Sequence, residues 1–231
     1  MVFTMTRATG LGEGSTLCVG ANSAGVRARD TMNVRAIPLR ARGHSRVARC
    51  GGPGRRLLVQ CGRVVGIDLG TSNSAIAVVE DGVPKIIPVD GGHHTMPSWA
   101  HYSKDGTVTV GRKAQRRRIK DPLNTFHSVK RFIGRTTKEC KEDIANVGFG
   151  VVADEEGLAS MVCPALQCNL CPEEISAEVL LKMIRDAEEV LGEEITKAVI
   201  TVPAYFNDEQ RDATQMAGEA AGLQNVKLLR E

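Results

Sequence analysis

Apolar and polar positions follow two different rhythms in the last three-quarters of this chain. Short apolar runs predict strands near residues 64–70, 73–79 and 84–88, and Asp81-Gly82 supplies the turn between the second and third. From Gly91 to about Cys171 the rhythm breaks. Pro97, Gly106, Gly111, Pro122, Gly134, Gly148, Gly150 and Gly157 cut this stretch into short pieces, so it reads as a subdomain, about residues 98–171, inserted into a sheet. Inside it, Phe126–Ile133 is weakly amphipathic and predicts a two-turn helix started by Asn124 or Thr125 and stopped by Gly134.

A longer helical period follows. Ile175, Val179, Met183, Ala187 and Val190, with Leu180, Ile184 and Leu191 beside them, form one stripe read as core. Pro172 stands at its first turn, Glu173 and Glu174 oppose the positive end of the dipole, and Gly192 stops it. Ala198–Val202 is a fully apolar strand. A second helix opens at Asn207, with Gln210 completing a capping box, and ends at Gly222; Asn225–Leu229 begins another strand. Three meandering strands, an insertion, then helix–strand–helix–strand is the order of the first lobe of an α/β fold of the ribonuclease-H-like or actin-like kind.

Charge divides the chain. Residues 1–60 hold ten Arg, no Lys and two acids, Glu13 and Asp30, a net of +8; residues 61–231 hold 20 Lys and Arg against 25 Asp and Glu, a net of −5. A net-negative folded part gives no support for nucleic-acid binding. The first 60 residues are rich in Ser, Thr, Gly and Ala and have no long apolar run, so neither a secretory signal nor a membrane span is expected there. Arg-rich, hydroxylated and acid-poor composition predicts an organelle transit peptide, cleaved between Arg49 and Cys61; a disordered basic arm or a misplaced start has the same composition. With only eight aromatic residues, aliphatic side chains must fill the core. Seven Cys without an export signal predict reduced thiols.

The candidate chemistry lies in Val64–Ser74. An apolar strand runs into Asp68-Leu69-Gly70-Thr71 and directly into a second strand. Gly70 allows a tight turn, after which the N–H groups of Thr71, Ser72 and Asn73 can converge on an anion, while Asp68 stands where a hydrated magnesium ion bridges protein and phosphates. The same string also suits an ordinary hairpin, its Asp and Asn serving the turn. A zinc reading of Cys163, Cys168 and Cys171 lacks a paired C-x-x-C, and the adjacent His93 and His94 cannot readily converge on one ion.

Four blocks in order resemble the amino-terminal lobe of the seventy-kilodalton heat-shock chaperones, the DnaK type: Gly66–Ser74, Asn124–Gly134, Glu174–Leu180 and Val199–Asp208. The resemblance covers about residues 63–231. It implies ATP or ADP with magnesium between two lobes, slow hydrolysis, and coupling to a domain that clamps unfolded polypeptide, with a J-domain co-chaperone and a nucleotide-exchange factor as partners. On matching positions it implies Asp68 near the magnesium, Gly70, Thr71, Ser72 and Asn73 as the first phosphate loop, and Lys130 on the γ-phosphate and attacking water. It further implies Glu231 in the water and magnesium shell, and Pro203 with Arg211 as the coupling pair. Each has a duller reading: Lys130 as a solvated charge, Pro203 as punctuation after a strand, Glu231 as a frayed last residue.

Departures from the family pattern are Ser72 in place of Thr, His94 in place of Arg, Met96 in place of Thr and Arg230 in place of Asn. The sequence holds no second glycine-rich phosphate loop, adenosine pocket, interdomain linker or peptide-binding domain. The expectation is therefore that these residues alone hold ATP weakly and do not turn it over as a chaperone. The wording of Asn124–Gly134 and Cys163-Pro164-Ala165 resembles plastid stroma members, with the mitochondrial matrix as the alternative. Two other functional readings remain: another actin-like ATPase or sugar kinase, and a non-enzymatic lobe that serves as an interaction module.

Overall fold

The computed structural model describes residues 63–231, so the expected leader lies outside the described residues. Strands β1 (Arg63–Asp68), β2 (Asn73–Glu80) and β3 (Val83–Ile86) pair antiparallel. Asp81 and Gly82 have φ of 52° and 77°, two consecutive left-handed residues of the kind that match strand twist in a two-residue hairpin.

The irregular stretch forms two small sheets. After the short β4 (Met96–Pro97), which pairs with the start of β2, come β5 (Trp99–Tyr102), β6 (Val108–Val110), helix α1 (Arg112–Arg117) and β7 (Thr125–His127); β6 and β7 flank β5. Helix α2 (Lys141–Ala145) precedes β8 (Val151–Ala153), β9 (Ala159–Cys163) and β10 (Cys168–Leu170), a meander with β9 in the middle. Met96 is fully buried and sits against Gly111, where a Cβ would approach its Cγ to 2.9 Å.

The helix expected over 126–133 does not form. Thr125–His127 is instead the edge partner of β5, with Phe126 opposite Ala100, and Ser128 turns left-handed at φ 56° before one 3-10 turn over Val129–Arg131. Phe126, Phe132 and Ile133 are buried all the same, so their spacing reports a core contact and not a helical period.

The last third matches its pattern closely. Helix α3 (Pro172–Leu191) ends at Gly192 in the left-handed region, φ 68°, and a capping box joins Cys171 to Glu174. Its stripe is buried from Ile175 to Ala187, but Val190, in the last turn, is 55% exposed and lies outside the core. Strand β11 (Ile195–Val202) joins β1 in parallel; helix α4 (Asp208–Ala220) crosses over to β12 (Asn225–Arg230), parallel to β11. The resulting order is β12-β11-β1-β2-β3, the first lobe of an actin-like α/β fold. Val65, Ile67, Ile76, Val78, Ala198 and Ile200 share one core with Leu180, Met183 and Ala187 of α3. Gly218 brings α4 close to the sheet, where a Cβ would stand 2.9 Å from Val226.

Candidate functional site

The turn after β1 is closed by contact and not by an unusual dihedral: a Cβ on Gly70 would lie 2.0 Å from the Asn73 carbonyl oxygen. The loop is braced from β4's side of the sheet. Ser98 Oγ donates to the Gly70 carbonyl at 2.7 Å and lies 2.9 Å from Ser74 Oγ, and Ser98 N–H donates to the Ser72 carbonyl at 3.0 Å. Thr71 and Ser72 are thereby held in an irregular turn at the carboxyl end of a parallel-paired strand, the end at which open α/β sheets bind ligands.

The parallel register of β1 and β11 sets Thr201 beside Asp68. Thr201 Oγ1 stands 3.3 Å from Asp68 Oδ1 and 3.0 Å from Glu231 Oε1, so one hydroxyl faces two carboxylates and donates to one at a time. Glu231 follows β12 directly, its N–H donating to the Val202 carbonyl at 3.0 Å.

Lys130 enters this group from the 3-10 turn that follows β7. Its Nζ lies 3.6 Å from Glu231 Oε1 and 5.7 Å from the centre of the Phe206 ring, and its side chain is only 8% exposed. It is therefore not a solvated surface charge. Burial pulls the Lys130 ammonium below the usual lysine range, and the carboxylates of Glu231 and Asp68 pull it part of the way back. The turn that carries it is fixed by Gly134, φ 60°, where a Cβ would stand 2.8 Å from Gln210 Cα at the start of α4.

A cavity of about 320 Å³ opens outward from Thr71 and Lys130 between Tyr205, Phe206 and Gln210. Arg131 and Arg135 also line it and share one carboxylate, Asp143, at 2.9 and 3.0 Å. These guanidiniums hold the Asp143 carboxyl below the usual carboxylate range against a burial effect of opposite sign.

The structure thus brings Asp68, Gly70, Thr71, Lys130 and Glu231 to one end of the sheet, with Ser72 and Asn73 continuing the turn. Pro203 and Arg211 are set apart on the β11–α4 connection, where the Pro203 carbonyl accepts from Phe206 N–H and Arg211 pairs with Asp208 in the first turn of α4. Three members of the site were not anticipated. Thr201 carried a faint signal as a lone hydroxyl in an apolar strand; Ser98 and Asp143 carried none, since Ser98 acts through partners 24 to 28 positions away and Asp143 through partners 12 and 8 positions away. Among the described residues, no group of three or more His, Cys, Asp or Glu is arranged to hold a metal ion. Cys163 and Cys168 face each other across the β9–β10 hairpin as free thiols.

This sheet order, with a glycine-closed turn at the end of β1, defines one lobe of an actin-like nucleotide-binding fold. Residues 64–231 match the family model described as Hsp70 protein, and the chain belongs to that family. It is 49% identical over 170 residues to a chaperone protein dnaK of Guillardia theta, covering 74% of this chain and 27% of that one. It is 48% identical over 178 residues to the stromal 70 kDa heat shock-related protein, chloroplastic, of Pisum sativum (77% and 25%), and 49% over 169 residues to heat shock 70 kDa protein 6, chloroplastic, of Arabidopsis thaliana (73% and 24%). The chain spans about a quarter of the length of these curated relatives.

Proposed function

We propose that these residues form the first lobe, with the inserted subdomain at about 98–171, of the ATP-binding domain of an ATP-dependent chaperone of the plastid stroma. The observation that carries the reading is the convergence of Lys130, Glu231, Thr201 and Asp68 on the glycine-closed turn. Relatives named as chloroplastic and stromal support the compartment.

The residues present fit a magnesium nucleotide. The Gly70–Asn73 turn is closed so tightly that a Cβ on Gly70 would strike the Asn73 carbonyl oxygen, and the turn would hold the phosphates through backbone N–H groups. Asp68 and Glu231 provide two carboxylates, too few to satisfy a six-coordinate hard cation, so water and phosphate oxygens would complete the magnesium shell. When bound, the ion neutralises charge on the transferred phosphoryl group. Lys130 is buried, cationic and fixed by Gly134, and its role is to hold a terminal phosphate oxygen. Glu231 accepts a hydrogen bond from Thr201 and orients the attacking water. Pro203 and Arg211 occupy the connection through which the state of the site would reach α4. Unfolded polypeptide, a J-domain co-chaperone and a nucleotide-exchange factor would engage the longer protein to which such a lobe belongs.

Calorimetry with magnesium ATP on this chain tests the reading. Weak binding that disappears in Gly70→Ala is expected, because a nucleotide cleft needs a second wall. Binding unchanged in Gly70→Ala, or full family affinity from this lobe alone, would sink it.

A further inference from the structure

We propose that the cavity outward of Lys130 is a second oxyanion station, which takes inorganic phosphate on Arg131 and Arg135 after it leaves the Gly70–Asn73 turn. The inference rests on the nucleotide reading for the source of the phosphate, but the arginine pair that makes the station has no part in that reading.

Three basic side chains, Lys130, Arg131 and Arg135, line this space against one carboxylate, Asp143, while Glu231, outside the lining, pairs with Lys130. The two guanidiniums each give a single Nη1 to the same carboxylate. Arg131 uses only that donor among its described side-chain bonds, leaving the rest of its fork for a ligand. Arg135 is preorganised: its Nη1 also donates to the Arg131 carbonyl at 2.7 Å and its Nη2 to the Glu139 carbonyl at 2.5 Å, so it keeps its orientation without a ligand. The remaining wall contributes Thr71 and Gln210, whose side chains can donate hydrogen bonds. A small tetrahedral anion suits this donor-rich, net-positive space, since planar guanidinium forks match phosphate oxygens two at a time.

The geometry also gives direction. Exposure of the basic side chains that line the cavity rises from 8% at Lys130 to 28% at Arg135 and 56% at Arg131. An anion released at the turn therefore meets Lys130 first, then the paired arginines, then solvent.

The test is a titration of the full chain, labelled at arginine nitrogen, with inorganic phosphate against chloride at constant ionic strength. Saturable shifts of the Arg131 and Arg135 Nε–H signals are expected. Arg131→Gln should weaken phosphate binding about threefold, and Asp143→Asn, which removes the competing carboxylate, should strengthen it about threefold. Phosphate that shifts only the Thr71–Asn73 amides, with affinity unchanged in Arg131→Gln, would overturn the station while leaving the nucleotide reading intact. The absence of any saturable shift would also overturn it, as would equal displacement by acetate, which would mark a general carboxylate site. Arg131 is exposed enough that its variant keeps the fold, so the test stands even if Asp143→Asn unfolds.

Discussion

Lys130 shows how much of this site is bound up with burial. Its side chain is only 8% exposed, and burial holds the ammonium below the ordinary lysine range, so the folded chain binds its proton less tightly than the unfolded chain does. The sign follows from linkage: between the lowered folded value and the ordinary value near 10.4, the unfolded state carries more protons, and stability from this group rises with pH. Lys130→Met is expected to raise the thermal midpoint at pH 7 and to flatten the rise between neutral and alkaline pH, while weakening nucleotide binding. A loss of stability at pH 7, followed by circular dichroism, would show that the pairing with Glu231 outweighs the cost of burial. Thr201 makes the complementary point. Nothing in an isolated strand of Ala198–Val202 marks its hydroxyl as a bridge; that role exists only because parallel pairing sets it beside Asp68 and the end of β12 sets Glu231 within 3.0 Å.

The elements that were legible in the sequence are those whose limits are set locally. Helix α4 begins where Asn207 Oδ1 accepts from Gln210 N–H at 2.8 Å and Gln210 Oε1 accepts from Asn207 N–H at 3.2 Å, a reciprocal cap that four consecutive residues encode by themselves. Asn207→Ala should cost about 1 kcal/mol in urea unfolding. Helix α3 was legible for the same reason, through Pro172, the acidic first turn and Gly192. The stretch 125–133 was not, because the apolar spacing that suggests a helix arises from β7 pairing with β5 and from Phe132 and Ile133 turning inward behind it, choices made by residues some 25 positions earlier. Helix α3 also carries a pH signature. Burial raises the carboxyls of Glu173 and Glu178 above the usual range, so their folded forms hold protons more tightly and their contribution to stability falls as pH rises from the ordinary glutamate value through the raised one. Glu178→Gln should make the thermal midpoint less dependent on pH across mild acid and raise it at pH 8; a dependence identical to that of the parent would contradict this.

At the scale of the whole described unit, α3 and α4 cover one face of the sheet, and the other is bare. Register places Val64, Val79, Ile86 and Leu229 on that bare face, each between 50% and 67% exposed. Exposed apolar surface of this kind binds hydrophobic dyes and promotes association. Sedimentation of the purified chain should show self-association that rises with concentration, and Val79→Lys combined with Leu229→Lys should suppress it; a monodisperse monomer with no dye binding would refute the assignment. A different consequence follows from Gly134. There the turn that carries Lys130 rests on Gln210 main chain to main chain, with no rotamer between them to absorb a displacement. The joint has no slack. A tilt of α4 would therefore bear directly on the turn that carries Lys130, whose ammonium stands 3.6 Å from Glu231, near the outer reach of an ion pair.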